Sequence, residues 1–369
     1  MDDMTAPPQS YLVPLPVRSV VARAQPKGLP VIRMGYNELP FGPTPGVAAA
    51  IADFARTPNF YGGPGCDEVR LALGRINGID PDEIICGNGS EELLDVIARN
   101  FVRPGDEILI SEFGYIQFAL TAHRLGVDLV KAPETGFATD VDALLAGVSA
   151  RTRLLFLANP NNPTGTVVPL AELERLVAGV PEHVVVVLDL AYGEFTGFEY
   201  CAGVHALAGR QRNVIVTRTF SKAFGLAGLR CGWAHAPADM LPGFYAARGM
   251  GSVNGMAQVA AKAALEEMDE VRARVDLIVS ERDRVAAALR DLGVLCLPSG
   301  TNFLMATVDG HGAEVTEALV EYLFDEGGFV VNRTREAGLE HFLRFCLSLP
   351  EHNDLLIETV GRFVATLGA

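Results

Sequence analysis

Short apolar runs alternate with longer amphipathic stretches over most of this chain. Five runs read as strands: Glu83–Gly87 (EIICG), Glu107–Ser111 (EILIS), Arg153–Ala158 (RLLFLA), Val184–Asp189 (VVVVLD) and Asn213–Thr217 (NVIVT). None has the strict alternation of a half-exposed strand, so each is expected to be covered on both faces. Between them, Glu91–Asn100, Ile116–Leu125 and Leu170–Ala178 read as helices. This order predicts an α/β fold, a three-layer sandwich on a mostly parallel sheet. Ligands of such sheets sit outside the carboxyl ends of the strands. The residues that follow each run are therefore where chemistry is expected.

From about Ala257 the pattern changes. A long stretch rich in Ala, Glu and Arg reads as helical to about Leu292. Short strands follow (TNFLMATV, GGFVVNR, HFLRFCLSL), with helices at Val315–Glu326 and from Asn353. We expect a smaller α+β unit here, and three parts in all: an arm over residues 1–44, a large unit over 45–260 and a small unit over 261–369. The proline-rich arm has too little periodicity to fold alone. It is expected to pack on the small unit or on a neighbouring subunit.

The composition is that of a globular protein: 369 residues, 49% hydrophobic and 20% charged. A net charge of -15 argues against a nucleic-acid partner, which calls for a basic face. Six cysteines are scattered singly, with no CxxC or Cys/His cluster, so no metal site or disulfide framework is expected. The opening MDDMTAPPQS lacks the basic-then-apolar layout of a signal peptide. No apolar run approaches the ~20 residues of a membrane helix. A cytoplasmic protein without membrane contact is the expectation.

Four segments follow predicted strands and carry candidate chemistry. Cys86-Gly87-Asn88-Gly89-Ser90-Glu91-Glu92 is a glycine turn into a helix; it is either a plain connection or an anion site built from free N–H groups. Asn159-Pro160-Asn161-Asn162-Pro163-Thr164-Gly165 is a rigid turn that can hold an asparagine amide in fixed orientation. Asp189 ends the most apolar strand, where an unpaired carboxylate is costly; it reads either as a cap or as the counter-ion of a buried cation, with Tyr192 beside it. In Arg218-Thr219-Phe220-Ser221-Lys222-Ala223-Phe224-Gly225-Leu226-Ala227-Gly228-Leu229-Arg230, one lysine sits among hydroxyls, apolar residues and glycines. That setting suits an amine that attacks a carbonyl, while Ser221 and Arg230 offer a hydroxyl and a cation to a phosphate.

In this order the four segments resemble the fold-type I aminotransferases that use pyridoxal 5′-phosphate, and RTFSKAFGLAGLRCGW is especially similar to the histidinol-phosphate aminotransferase branch. The likeness runs from Tyr36-Asn37-Glu38-Leu39-Pro40-Phe41-Gly42-Pro43 to Arg344 and beyond. It implies that Lys222 is the Schiff-base lysine and proton shuttle, and that Asp189 keeps the cofactor's pyridine nitrogen protonated. By the same resemblance Tyr192 and Asn162 bond the phenolic oxygen, and Tyr115 stacks on the ring. Ser90, Glu91 (through its backbone N–H), Ser221 and Arg230 form the phosphate cradle. Tyr61 is implied to reach the partner subunit's cofactor, which requires a homodimer with shared sites. Arg344 matches the clamp for the substrate's anionic group, with Asn162 beside it, and Arg333 lies near a second anion-binding arginine of relatives.

The activity so implied is a ping-pong amino transfer from a small-molecule donor to a 2-oxo acid acceptor, with histidinol phosphate and the 2-oxoglutarate/glutamate pair expected. An aromatic or other amino acid is the alternative donor, and a decarboxylase or lyase of the same fold the alternative reaction. The sequence departs from the family pattern at Leu190, where an acidic residue is usual, at Tyr61-Gly62 in place of Tyr-Pro, and in CLSLPEHND after Arg344. None of these departures is expected to touch the cofactor chemistry.

Overall fold

The computed structural model describes residues 24–367. The first half of the expected arm, residues 1–23, lies outside the described residues. In chain order the strands are β1 (Ile32–Arg33), β2 (Ile84–Gly87), β3 (Glu107–Ser111), β4 (Asp128–Ala132), β5 (Glu134–Thr135), β6 (Ala138–Thr139), β7 (Thr152–Ala158) and β8 (Val185–Asp189). They continue with β9 (Val214–Thr219), β10 (Gly232–His235), β11 (Val294–Cys296), β12 (Phe303–Val308), β13 (Phe329–Val330), β14 (Asn332–Arg333) and β15 (Leu343–Cys346).

A seven-stranded sheet in the order β2-β10-β9-β8-β7-β3-β4 forms the large unit. Every pair in it is parallel except the two made by β10, which runs antiparallel between β2 and β9. The five strands expected from the sequence are all present within one or two residues. β2, β3, β8 and β9 are buried along their whole length, as their unalternating apolar runs require. Helices cover both faces. The helix Ser90–Phe101 buries Leu93, Leu94, Val96, Ile97 and Ala98 against one of them. On the other face, Leu170–Gly179 and Phe198–Ala208 bury Leu173, Leu176, Val204 and Leu207.

Two strands of this sheet went unread in the sequence. β4 (DLVKA) is a partly exposed edge strand carrying an aspartate and a lysine. β10 (GWAH) is short and mixes a glycine, an indole and an imidazole.

The small unit is a four-stranded antiparallel sheet, β11-β12-β15-β14, packed on Met268–Asp291, Ala313–Gly327 and Pro350–Leu367. The single long helix expected here is two, Gly255–Glu266 and Met268–Asp291, broken at Glu267. Glu267 leaves the helical region (φ -113°, ψ 39°), and its carboxylate accepts from the N–H of Gly46 and the hydroxyl of Thr44. It thereby caps the helix Pro45–Phe54, where an anion is favoured. The run GGFVVNR also divides. Phe329–Val330 pairs with β1, while Asn332–Arg333 joins the four-stranded sheet. Residues 24–44 lie on this unit: Gln25 Nε2 donates to the carbonyls of Phe324 and Asp325, both at 3.1 Å, and the N–H of Cys346 donates to Met34 O at 2.8 Å.

No described helix is long and apolar enough to cross a membrane, and no His/Cys/Asp/Glu cluster among the described residues could hold a metal.

Candidate active site

The carboxyl ends of β2, β7, β8 and β9 meet at one edge of the large sheet. The register sets Ala158 beside Asp189 and Asp189 beside Thr217. Because β10 runs the other way, its first residue, Gly232, lies at this same edge between Thr219 and Gly87. Arg230, two residues earlier, is thereby delivered to the start of the helix Ser90–Phe101. Gly89 (φ +81°) opens that helix. A Cβ at Gly89 would lie 2.4 Å from Arg230 Nη2, and one at Gly232 would lie 2.4 Å from Ser90 N. These two glycines let the helix start and the guanidinium close on one point. Ser221 completes the group: its hydroxyl accepts from Thr219 Oγ1 at 3.0 Å and from Arg230 Nη1 at 3.3 Å. Free N–H groups, a hydroxyl and a fixed cation together make a cradle for a phosphate.

Asp189 is 2% exposed, and its Oδ1 accepts from Thr217 Oγ1 at 2.9 Å. Burial pushes its carboxyl up to about 6, against the lowering effect of Thr217 and the N–H of Ala191. A cation set against this carboxylate would restore its charge. Tyr192 is also buried, its ring edge-on to Phe303. Its hydroxyl accepts from Asn37 Nδ2 at 2.9 Å and from Asn162 Nδ2 at 3.5 Å. Lys222 Nζ lies 5.5 Å from the centre of that ring and donates to the carbonyls of Tyr36 (3.4 Å) and Asn37 (3.2 Å).

Tyr115 precedes the helix Ile116–Leu125, and its hydroxyl donates to Glu91 Oε1 at 2.7 Å. Burial first, then the Glu91 carboxylate, raises its phenol. From the small unit, β15 brings Arg344, which donates to Asn162 Oδ1. The neighbouring β14 brings Arg333, ion-paired with Glu317. The Nε atoms of both arginines are buried and have no hydrogen-bond partner among the described residues.

The expected site residues other than Tyr61 line one cleft of about 1100 Å³ between the sheet edge and the small unit. Tyr36, Asn37, Lys131 and Arg335 line it too and were not singled out from the sequence. Asn37 carried a signal of a kind, because an asparagine in a turn readily takes the left-handed backbone it has here (φ +56°). Tyr61 is the one expected site residue that stands apart. It is fully exposed and does not line this cleft.

The model of the family "Aminotransferase class I and II" matches residues 30–360. The chain belongs to this family. Within it, the chain is similar to the histidinol-phosphate aminotransferase of Rhodopseudomonas palustris (strain BisB18), with 38% identity over 92% of each chain. It is also similar to that of Sphingopyxis alaskensis, with 41% identity over 87% of each. Among solved structures, the histidinol-phosphate aminotransferase of Sinorhizobium meliloti in complex with pyridoxal-5′-phosphate superposes with a TM-score of 0.85, at 31% identity over 91% of each chain. An L-threonine-O-3-phosphate decarboxylase from Porphyromonas gingivalis also superposes (TM-score 0.77). At 22% identity over 91% of this chain and all of that one, it shares the fold alone. This class I and II aminotransferase thus shares the fold of a solved relative that holds pyridoxal 5′-phosphate.

Proposed function

We propose that this aminotransferase moves an amino group from histidinol phosphate to 2-oxoglutarate in a ping-pong cycle, as a cytoplasmic homodimer. The observation that carries the donor is the pair Arg333 and Arg344. Their buried Nε donors have no partner among the described residues, and they line the cleft together with Lys131 and Arg335. An incoming anion is what such groups lack. The relatives named histidinol-phosphate aminotransferase support the same donor.

The cleft's chemistry fits the cofactor. Ser90 N–H, Glu91 N–H, Ser221 and Arg230 would hold its phosphate. Asp189, a desolvated carboxylate in want of a cation, would hold its ring nitrogen protonated. Tyr192 and Asn162 would bond its phenolic oxygen, and Tyr115 would cover one ring face. When bound, the cofactor supplies the electron sink that stabilises a carbanion at the substrate Cα. Lys222 would hold the cofactor through its Nζ and would take up the proton released from the substrate Cα. The nearby carbonyls of Tyr36 and Asn37 keep its amine at the cleft. Arg344 orients the donor by its anionic end, so that the bond to be broken faces Lys222.

The full exposure of Tyr61 supports the dimer, since it suits a residue that completes a neighbouring subunit's site. We also propose the division into an arm (1–44), a cofactor unit (45–260) and a small unit (261–369); the break at Glu267 close to the second boundary supports it.

The test mixes purified holoprotein with histidinol phosphate and follows the loss of the lysine-bound cofactor absorbance. Conversion by histidinol phosphate and by no aromatic amino acid is expected. Conversion by aromatic amino acids alone would overturn the donor. Lys222→Ala is expected to abolish the covalent chromophore, and its survival would overturn the role of Lys222.

A further inference from the structure

Asn37 enters the cleft from the segment after β1, 2% exposed and with left-handed backbone. Asparagine is among the few side chains that tolerate this conformation. Two groups implied in the chemistry converge on it. Its carbonyl accepts from Lys222 Nζ at 3.2 Å, and its Nδ2 donates to the Tyr192 hydroxyl at 2.9 Å. It is itself held from behind, because Asn302, fully buried ahead of β12, donates through Nδ2 to the same carbonyl at 3.2 Å. The remaining side-chain atom, Asn37 Oδ1, is buried without a partner among the described residues.

The donor count gives this arrangement a direction. A phenol has one proton to give and lone pairs to receive with. Tyr192 already receives from two amides, Asn37 Nδ2 and Asn162 Nδ2. Its own proton is therefore free to point into the cleft as a donor. Without the Asn37 amide, the hydroxyl could rotate and donate elsewhere.

We propose that Asn37 is a positioning residue for amino transfer: its carbonyl berths the Lys222 amine, and its amide turns the Tyr192 hydroxyl into a fixed donor toward the cofactor's phenolic oxygen. This rests on the reading that Lys222 and Tyr192 serve the cofactor. The lysine and the phenol are then set from the N-terminal segment as well as from the sheet edge. That segment is bonded to the small unit, through β1 to β13 and through Met34 to Val330 and Cys346. The unit that carries Arg344 is thereby joined by hydrogen bonds to the amine that moves the proton.

Two variants separate this role from simple support. Asn37→Gly keeps the left-handed backbone and the carbonyl but removes the amide. Asn37→Asp keeps the size and replaces the donor by an acceptor, which would take the Tyr192 proton. Both are expected to raise the midpoint of the pH-dependent cofactor absorbance, by roughly one unit for Asn37→Asp. Both should lower kcat by about tenfold or more, with KM for the amino donor within about threefold. In a Tyr192→Phe background the Asn37→Asp effect on the midpoint should nearly vanish.

An unchanged midpoint and kcat in Asn37→Gly, or full additivity with Tyr192→Phe, would overturn the proposal. Should Asn37→Asp fail to fold, Asn37→Gly decides alone. Loss of the chromophore in Lys222→Ala, together with silent Asn37 variants, removes only this inference. Retention of the chromophore in Lys222→Ala removes the reading beneath it.

Discussion

On the cleft face of β9, Thr217 bonds Asp189 and Thr219 bonds Ser221. Between them, on the opposite face, Arg218 is ion-paired with Glu194 and bonded to His205 Nε2 at 3.1 Å. His205 stacks on Trp233 and meets His235 ring to ring (Nδ1 to Nδ1, 3.2 Å), and His235 reaches Glu83 at 3.6 Å. Both faces are buried and polar, but their charges are completed differently. Behind β9 each charge is answered by another residue of the chain. In front, Asp189 is a desolvated carboxylate with no cation against it among the described residues. A buried polar group without its partner costs stability. The front face therefore reads as a site and the back as scaffold, although Arg218 stands in the same motif as Lys222.

The largest effect that tests this contrast is on the front. Asp189→Asn should lower kcat/KM by about 10³-fold while the cofactor-free protein melts no lower than wild type, since a desolvated carboxylate has been removed. A large fall in Tm would make Asp189 scaffold.

Arg218→Met should do the reverse, because it leaves Glu194 buried and unpaired, a loss of about 3–5 kcal/mol. A marked drop in Tm is expected, largely recovered in Arg218→Met/Glu194→Gln, with kcat/KM of the folded enzyme within about tenfold of wild type. Unchanged Tm would deny the back face its structural role.

The smallest effect is in pH, and the two faces have opposite signs. The Asp189 pKa is raised in the folded, cofactor-free chain, to about 6 from a reference near 3.8. Its contribution is fully present below about pH 4 and is lost as pH rises through 6, roughly 3 kcal/mol in all. His205 is held well below its ordinary value by burial, then by Arg218 and His235; His235 is lowered by burial against the opposing pull of Glu83. Stability from these rings is present above about pH 6.5 and is lost as pH falls. Melting curves from pH 5 to 8 should show Asp189→Asn gaining most at the alkaline end, and His205→Gln losing less than wild type at the acid end. Identical profiles would break the comparison.

How much of this was legible depended on what each residue answers to. The five expected strands were plain because burial on both faces leaves a continuous apolar run. β10 was not, because GWAH owes its place to neighbours on either side and not to its own pattern. The break at Glu267 was hidden because its cause, the open helix end at Gly46, is more than two hundred residues away in sequence. Among site residues, those after strand ends announced themselves by position and motif. Asn37 did not, because its partners Lys222, Tyr192 and Asn302 come from three distant parts of the chain. The role of Arg218 was likewise invisible, since neither Glu194 nor His205 lies in its motif.

The antiparallel course of β10 also bears on the order in which the molecule is made. β2 and β9 are not neighbours; they are joined only through β10. Ser90 follows the first, Ser221 follows the second, and Arg230 arrives with the third. Until residues 232–235 slot between the other two, the three groups of the cradle are not in one place. On the proposed reading of this cradle, tight cofactor uptake is expected only once the sheet has closed. In refolding from denaturant, the lysine-bound chromophore should appear no earlier than the burial of Trp233, the chain's single tryptophan. Its fluorescence gives the clock against which that order can be read.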